Sequence, residues 1–191
     1  RAASKVPTNL ELKARIKSRA HVMRIAKRIC SQAGVFSQID TYFQVSPGRL
    51  KLREYSSAKA ELIYYDRIEG KGERWSKYYI SQVKSPSILK NLLGIARGTR
   101  IVVRKSRRLF FYRGARIHID SVFRLGHFIE IEVIMKKSRD EARSLLAEII
   151  RLFNIKTDGI IVSSYADLLE KKSKTAPRRE KKIRRAPLVP A

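Results

Sequence analysis

Asn9-Leu10-Glu11-Leu12-Lys13 alternates polar and apolar residues. A strand turns successive side chains to opposite faces, so this segment has one apolar face and one carrying Asn9, Glu11 and Lys13. The same alternation returns at Lys51-Leu52-Arg53, Arg116-Ile117-His118-Ile119-Asp120 and Glu130-Ile131-Glu132. A single segment of this kind would read as an ordinary surface strand. Its recurrence, with carboxylates on some strands and Lys or Arg on others, points to charged faces that converge on a polar interior. Such an interior suits metal ions and a polyphosphate.

Outward from these segments, strands are expected at 9–16, 39–45, 49–55, 60–67, 78–83, 100–112, 115–123 and 127–134. Ser46-Pro47-Gly48, Arg113-Gly114 and Leu125-Gly126 supply turns between several of them. Val22, Ile25, Ala26, Ile29 and Ala33 form a helical stripe over 18–33, with Ser18 as its N-cap. Ser85-Pro86 opens a second helix, because proline suits the first helical turn. Ser138-Arg139-Asp140-Glu141 reads as a capping box before a third. A short helix is expected over 164–170. The order favours an α+β fold with an antiparallel sheet over repeated βαβ units. Eight strands suffice to close a barrel, although alternation alone leaves a curved open sheet backed by helices as an alternative.

The chain has 191 residues, 43% of them hydrophobic, which allows one domain with a substantial core. No apolar run approaches the ~20 residues needed to cross a bilayer. Cys30 is the only cysteine, which excludes an internal disulfide and a Cys-built metal site. It suits a reducing compartment, so an intracellular, cytoplasmic location is expected, with nucleus or organelle as alternatives. Net charge is +26, a call for polyanionic partners. Residues 171–191 hold nine Lys or Arg against one Glu, so +18 belongs to 1–170. The expected division is a folded domain over 1–170 and a basic, disordered tail over 171–191, open to nonspecific nucleic-acid contact. The oligomeric state is not legible.

Several motifs in order carry a resemblance. Asn9-Leu10-Glu11-Leu12-Lys13-Ala14-Arg15, Asp40-Thr41-Tyr42-Phe43, Gly48-Arg49-Leu50-Lys51-Leu52-Arg53-Glu54 and Glu61-Leu62-Ile63-Tyr64-Tyr65-Asp66-Arg67 resemble the CYTH superfamily, the triphosphate tunnel metalloenzymes. The likeness continues through Val103-Arg104-Lys105-Ser106-Arg107 and residues 116–132, and it is nearest to the class IV adenylyl cyclase-like branch. It implies a closed antiparallel eight-stranded β-barrel with flanking helices, a triphosphate-bearing small molecule or inorganic polyphosphate as ligand, and Mg²⁺ or Mn²⁺ as cofactor. The superfamily opens its first strand with Glu-x-Glu-x-Lys; Asn9 stands at the first position and brings no negative charge.

Hard divalent cations take oxygen ligands, which makes Glu11, Asp120, Glu130 and Glu132 the expected metal set. Lys51, Arg53, Arg67, Lys105, Arg107 and Arg116 are the expected phosphate-binding set, since Arg contacts phosphate bidentately and Lys supplies a point charge. Lys13 and Glu11 are the catalytic candidates. Asn9, Glu61, Tyr65 and His118 are candidate lining residues. Two classes of function fit: a metal-dependent phosphohydrolase or adenylyl cyclase acting on a triphosphate, and a noncatalytic module binding polyphosphate, nucleotide or RNA ends. Fold likeness does not choose between them.

Overall fold

The computed structural model describes residues 8–55, 59–69, 74–135 and 138–175; of these, side chains are not described at 8, 67–69 and 74–77. The order is β1 (Thr8–Arg15), α1 (Arg19–Ile29), β2 (Ser31–Phe43), β3 (Arg49–Glu54), β4 (Ala60–Glu69), β5 (Arg74–Val83), α2 (Pro86–Arg97), β6 (Thr99–Tyr112), β7 (Ala115–Val122), β8 (Gly126–Ile134), α3 (Arg139–Leu152) and α4 (Tyr165–Thr175). All strand neighbours are antiparallel, in the order β1-β5-β4-β3-β2-β6-β7-β8.

β1 meets β8 on one edge and β5 on the other, so that order returns on itself. Strand pairing along the last join is nevertheless partial among the described residues, which corrects the expectation of a barrel closed by eight strands along its whole length. β1 pairs with β8 from Asn9 to Arg15, but with β5 only from Thr8 to Glu11. From Leu12 to Arg15 the second edge of β1 has no β5 partner among the described residues. The chain after α3 fills that place: Ile161 N donates to Lys13 O at 2.8 Å, and Ala14 bridges Ile160. Strand alternation carries no information about this join, because it depends on where β5 starts.

α1, α2 and α3 cover parts of the outer face of the sheet. α1 and α3 pack over Leu10, Ala14, Phe110, Ile117, Ile129 and Ile131, all buried. Leu89 and Leu93 of α2 pack against Phe43, Leu52 and Ala60. α4 occupies a different place. Tyr165, Ala166 and Leu169 pack with Tyr42, Ile63, Tyr65, Val103 and Phe128, inward-facing residues of four strands, and so stop one end of the interior with apolar side chains. This helix runs to Thr175, five residues past the expected end of the domain.

Two local expectations shift for physical reasons. α1 ends at Ile29, and β2 begins at Ser31, eight residues before the strand expected from sequence. The helical stripe is real as far as Ile29, but Ala33 belongs to β2, beside an irregularity in the β2–β6 register at Gln32/Gly34. The capping box forms as read: Ser138 Oγ accepts from Glu141 N at 3.1 Å. Ser18 Oγ caps α1 likewise, accepting from His21 N at 3.2 Å.

Candidate functional site

Alternation on each strand sends one set of side chains into the space enclosed by the sheet, where an ~160 Å³ cavity opens. β1 contributes Asn9, Glu11 and Lys13; β3 contributes Lys51 and Arg53; β6, Lys105 and Arg107; β7, Arg116; and β8, Glu130 and Glu132. With Asp40 and Tyr42 of β2, Ile63 and Tyr65 of β4 and Tyr78 and Ile80 of β5, residues from all eight strands and from the start of α4 share one cavity. Lys13, Lys51, Lys105 and Arg107 are buried. That is an unusual density of cations for a protein interior.

The cations are held by three centres of negative charge. Asp40, 2% exposed, accepts from Lys51 Nζ at 3.0 Å and from Arg53 Nε and Nη2 at 2.7 and 2.8 Å. Burial opposes its ionisation, but the two cations outweigh burial and keep its carboxyl well below the usual range. Asp120 is fully buried and grips Arg107 through two bonds, with Tyr165 OH donating to it at 3.1 Å. Glu130 takes Arg107 Nη2 on one oxygen and lies 3.2 Å from Lys13 Nζ through the other. Burial again works against the charged form, and Lys13 and Arg107 again hold the carboxyl well below its ordinary value.

Lys105 has no such compensation. Burial, then the neighbouring Arg107 guanidinium, push its pKa from 10.5 down to about 7, against the weaker pull of Asp120 at 3.6 Å. Its Nζ lies 5.3 Å from the Tyr165 ring, over which Lys13 also sits at 4.2 Å. Burial, with a neighbouring cation added, thus brings one cavity lysine close to losing its proton. An anion entering the cavity would reverse that.

The sequence-expected residues divide clearly. Glu11, Lys13, Lys51, Arg53, Lys105, Arg107, Arg116, Glu130 and Glu132 line the cavity, with Asn9 and Tyr65. Asp120 lies behind it, both oxygens engaged by Arg107. His118 also does not line it; its Nε2 is 3.4 Å from Glu132, and burial followed by Arg107 lowers its pKa against the pull of Glu132. Glu61 is bonded instead by Tyr55 OH and Gln82 Nε2, at 2.9 and 3.0 Å. The Arg67 side chain falls outside the described residues.

Sequence reasoning missed Asp40 and Tyr165. Asp40 carried a usable signal: Gln38, Asp40 and Tyr42 alternate on β2, and Asp40 stands opposite Arg53 in the ladder. Tyr165 carried none, because its role comes from α4 packing across strands far away in sequence.

Among the described residues, no three His, Cys, Asp or Glu side chains come together as a metal cluster. The cavity carboxylates are nonetheless oxygen donors, and Glu11 on β1 stands directly opposite Glu132 on β8. Mg²⁺ commonly uses one or two carboxylates and completes its shell with water and substrate phosphates. A two-carboxylate site fits this donor set. Asn9 Oδ1, buried and without a hydrogen-bond partner, faces the same cavity.

A family model described as CYTH domain matches residues 8–185. No curated protein matches the chain. Among solved structures, a protein from Pyrococcus horikoshii OT3 superposes with a TM-score of 0.75 at 20% identity, covering 84% of this chain and 98% of that one. A conserved hypothetical protein from Pyrococcus furiosus gives 0.76 at 19% identity, covering 84% and 99%. An adenylyl cyclase-type protein from Hippeastrum, described as having a dominant triphosphatase activity, gives 0.64 at 13% identity, covering 87% and 96%. At these identities the likenesses establish a shared fold. No helix among the described residues is long and apolar enough to cross a membrane.

Proposed function

The chain belongs to the CYTH domain family, and from that premise we propose that it is a divalent-metal-dependent phosphohydrolase acting on a triphosphate. One observation carries the reading: Lys13, Lys51, Arg53, Lys105, Arg107 and Arg116 converge on one cavity whose β1–β8 wall presents Glu11, Glu130 and Glu132. Cations at this density, with one lysine driven towards neutrality, suit a ligand carrying several negative charges.

Arg53, Arg107 and Arg116 grip phosphate oxygens, and Lys51 and Lys105 add point charges. Glu11 and Glu132 would hold Mg²⁺ or Mn²⁺, with Glu130 beside them; such an ion neutralises charge on the phosphates during in-line displacement. Asp120 is assigned a positioning role through Arg107. Lys13, fixed between Glu130 and the Tyr165 ring, orients the nucleophile. Water adds to the terminal phosphorus, the bridging P–O bond breaks, and orthophosphate leaves the shortened chain.

Cavity size favours hydrolysis over cyclisation. At ~160 Å³ the cavity lies below the roughly 300–1,000 Å³ of drug-sized sites, which suits a triphosphate group better than an enclosed whole nucleotide. The activity described for the Hippeastrum protein is in keeping with this choice. A second reading, polyanion binding without turnover, draws support from the engagement of Glu130 and Glu132 by protein cations. Purified protein incubated with inorganic triphosphate and with ATP, under Mg²⁺ or Mn²⁺, separates them. Metal-dependent release of orthophosphate is expected. Cyclic nucleotide with pyrophosphate would replace hydrolysis by cyclisation, and tight binding without any product would select the second reading.

A further inference from the structure

The cavity does not account for this protein's charge. Its six cations face five carboxylates, Glu11, Asp40, Asp120, Glu130 and Glu132, so the interior is nearly balanced. Almost all of the net +26 therefore lies outside it.

One part of that exterior is an uncovered sheet face. α1 and α3 cover β1, β7, β8 and the end of β6 at Phe110, and α2 covers β3 and the end of β2 at Phe43, but the outward side of the middle of β2 and β6 stays open. Ladder registers set its residues in rows. Ile39 lies beside Arg104, Ser37 beside Ser106 and then Ser121, and Val35 beside Arg108. Phe123 N donates to Arg104 O at 2.9 Å, and Phe123, 66% exposed, lines a shallow pocket with Arg104 and Val102 at the Ile39–Arg104 row. Arg104 is exposed, and Arg108 Nε is buried without a hydrogen-bond partner.

Neither β6 nor α1 contains a carboxylate, and the one carboxylate of β2, Asp40, points inward. Glu54 stands opposite Ile39 and is held by Lys90 at 3.0 Å, and Asp167 and Glu170 of α4 are held by Arg100 of β6. Both flanks are basic. α1, packed against β2 and β7, exposes Arg24, Lys27 and Arg28. On the other side α4 exposes Lys171, Lys172 and Lys174, and Lys172 Nζ donates to Arg124 O at 2.7 Å.

We propose that this β2–β6 face, with Phe123 at its α4 edge and the basic flanks of α1 and α4, binds single-stranded nucleic acid. Arg, Lys and Ser donors suit a phosphate backbone, and an exposed ring beside arginines is a stacking platform for an unpaired base. A duplex hides its base faces and would leave Phe123 without a partner. An anionic membrane fits less well, because the apolar residues here are separated by Arg and Ser instead of forming one continuous patch. The assignment is independent of the cavity and of its reaction.

The test is fluorescence anisotropy on the full chain with a labelled single-stranded RNA oligonucleotide, its duplex, and phosphatidylserine vesicles. Phe123→Ala is expected to weaken single-strand binding about fivefold or more, the loss of one stacked base, and to leave duplex binding unchanged. Arg104→Glu should weaken both and reduce the dependence on salt. Retained binding of inorganic triphosphate shows that each variant keeps its fold. Unchanged single-strand affinity in both variants would overturn the proposal and move binding elsewhere on the chain. Vesicle binding that depends on Phe123, with no RNA binding, would overturn it in favour of a membrane surface.

Discussion

Arg107 and Asp120 face each other across β6 and β7 and are joined by two hydrogen bonds of 2.8 and 2.7 Å, in a part of the interior where Asp120 has no exposed surface. Arg107 extends from this grip to Glu130, so one buried acid fixes the direction of a cavity cation. Asp120→Asn should therefore act through stability. Removing one partner of a buried pair leaves the other uncompensated, at a cost of about 3–5 kcal/mol. Denaturant unfolding measures this, and a loss within the range of a surface substitution would show that Arg107 does not depend on Asp120.

Lys105 gives a pH signature. In the free protein it loses its proton around pH 7, and a bound polyanion would raise that value. Binding above pH 7 should therefore take up a proton, and affinity for inorganic triphosphate should fall as pH rises. Calorimetry in buffers of different ionisation enthalpy reads the proton directly, and Lys105→Met should abolish the uptake. Stability follows the opposite trend. The folded pKa is lowered, so the unfolded chain holds more protons between about pH 7 and 10.5, and the contribution of Lys105 to stability rises across that window.

Glu132→Gln should raise the Mg²⁺ concentration needed for half-maximal turnover by on the order of tenfold or more, while metal-free binding of inorganic triphosphate persists. Arg53→Ala should weaken that binding itself. Titrations of metal and of ligand, run on both variants, keep the two effects apart. An unchanged metal requirement in folded Glu132→Gln would remove this residue from the metal site.

Tyr165 tests the apolar stopper. Tyr165→Phe loses the bond to Asp120 and should cost about 1.5–3 kcal/mol, the range for a bond to a charged group. Tyr165→Ala also empties the space beside Phe128, whose ring centroid is 5.0 Å away, and removes the ring under Lys13 and Lys105. About 3–5 kcal/mol is expected, with turnover falling in the fraction that remains folded. Equal stability of the two variants would mean that α4 does not fill the interior as the packing indicates.

Truncation after Thr175 should leave turnover intact, since α4 and its ties are preserved. Truncation after Leu169 removes Glu170 and Lys172, which bond Arg100 and Arg124 O. It should lower Tm by a few degrees, as expected for about 1 kcal/mol in a chain of this length. Thermal unfolding of the two truncated chains compares them directly.

What the sequence by itself determined is local. A period of two is a property of the strand backbone, so Glu11, Lys13, Lys51, Arg53, Lys105, Arg107, Arg116, Glu130 and Glu132 could be placed on one face each before any pairing was known. The Ser18 and Ser138 caps were legible because capping involves residues three apart. Tertiary structure decided everything that depends on which faces meet. It brought Asp40 against Arg53 and withdrew Asp120 and His118 from the cavity surface. It set the β1–β5 join among the described residues at Thr8–Glu11, and it stopped one end of the interior with Tyr165. It also showed that the excess positive charge lies outside. The physical reason is the same in each case: parity fixes the side of a strand on which a residue sits, but depth, partner and protonation depend on neighbours brought from elsewhere in the chain.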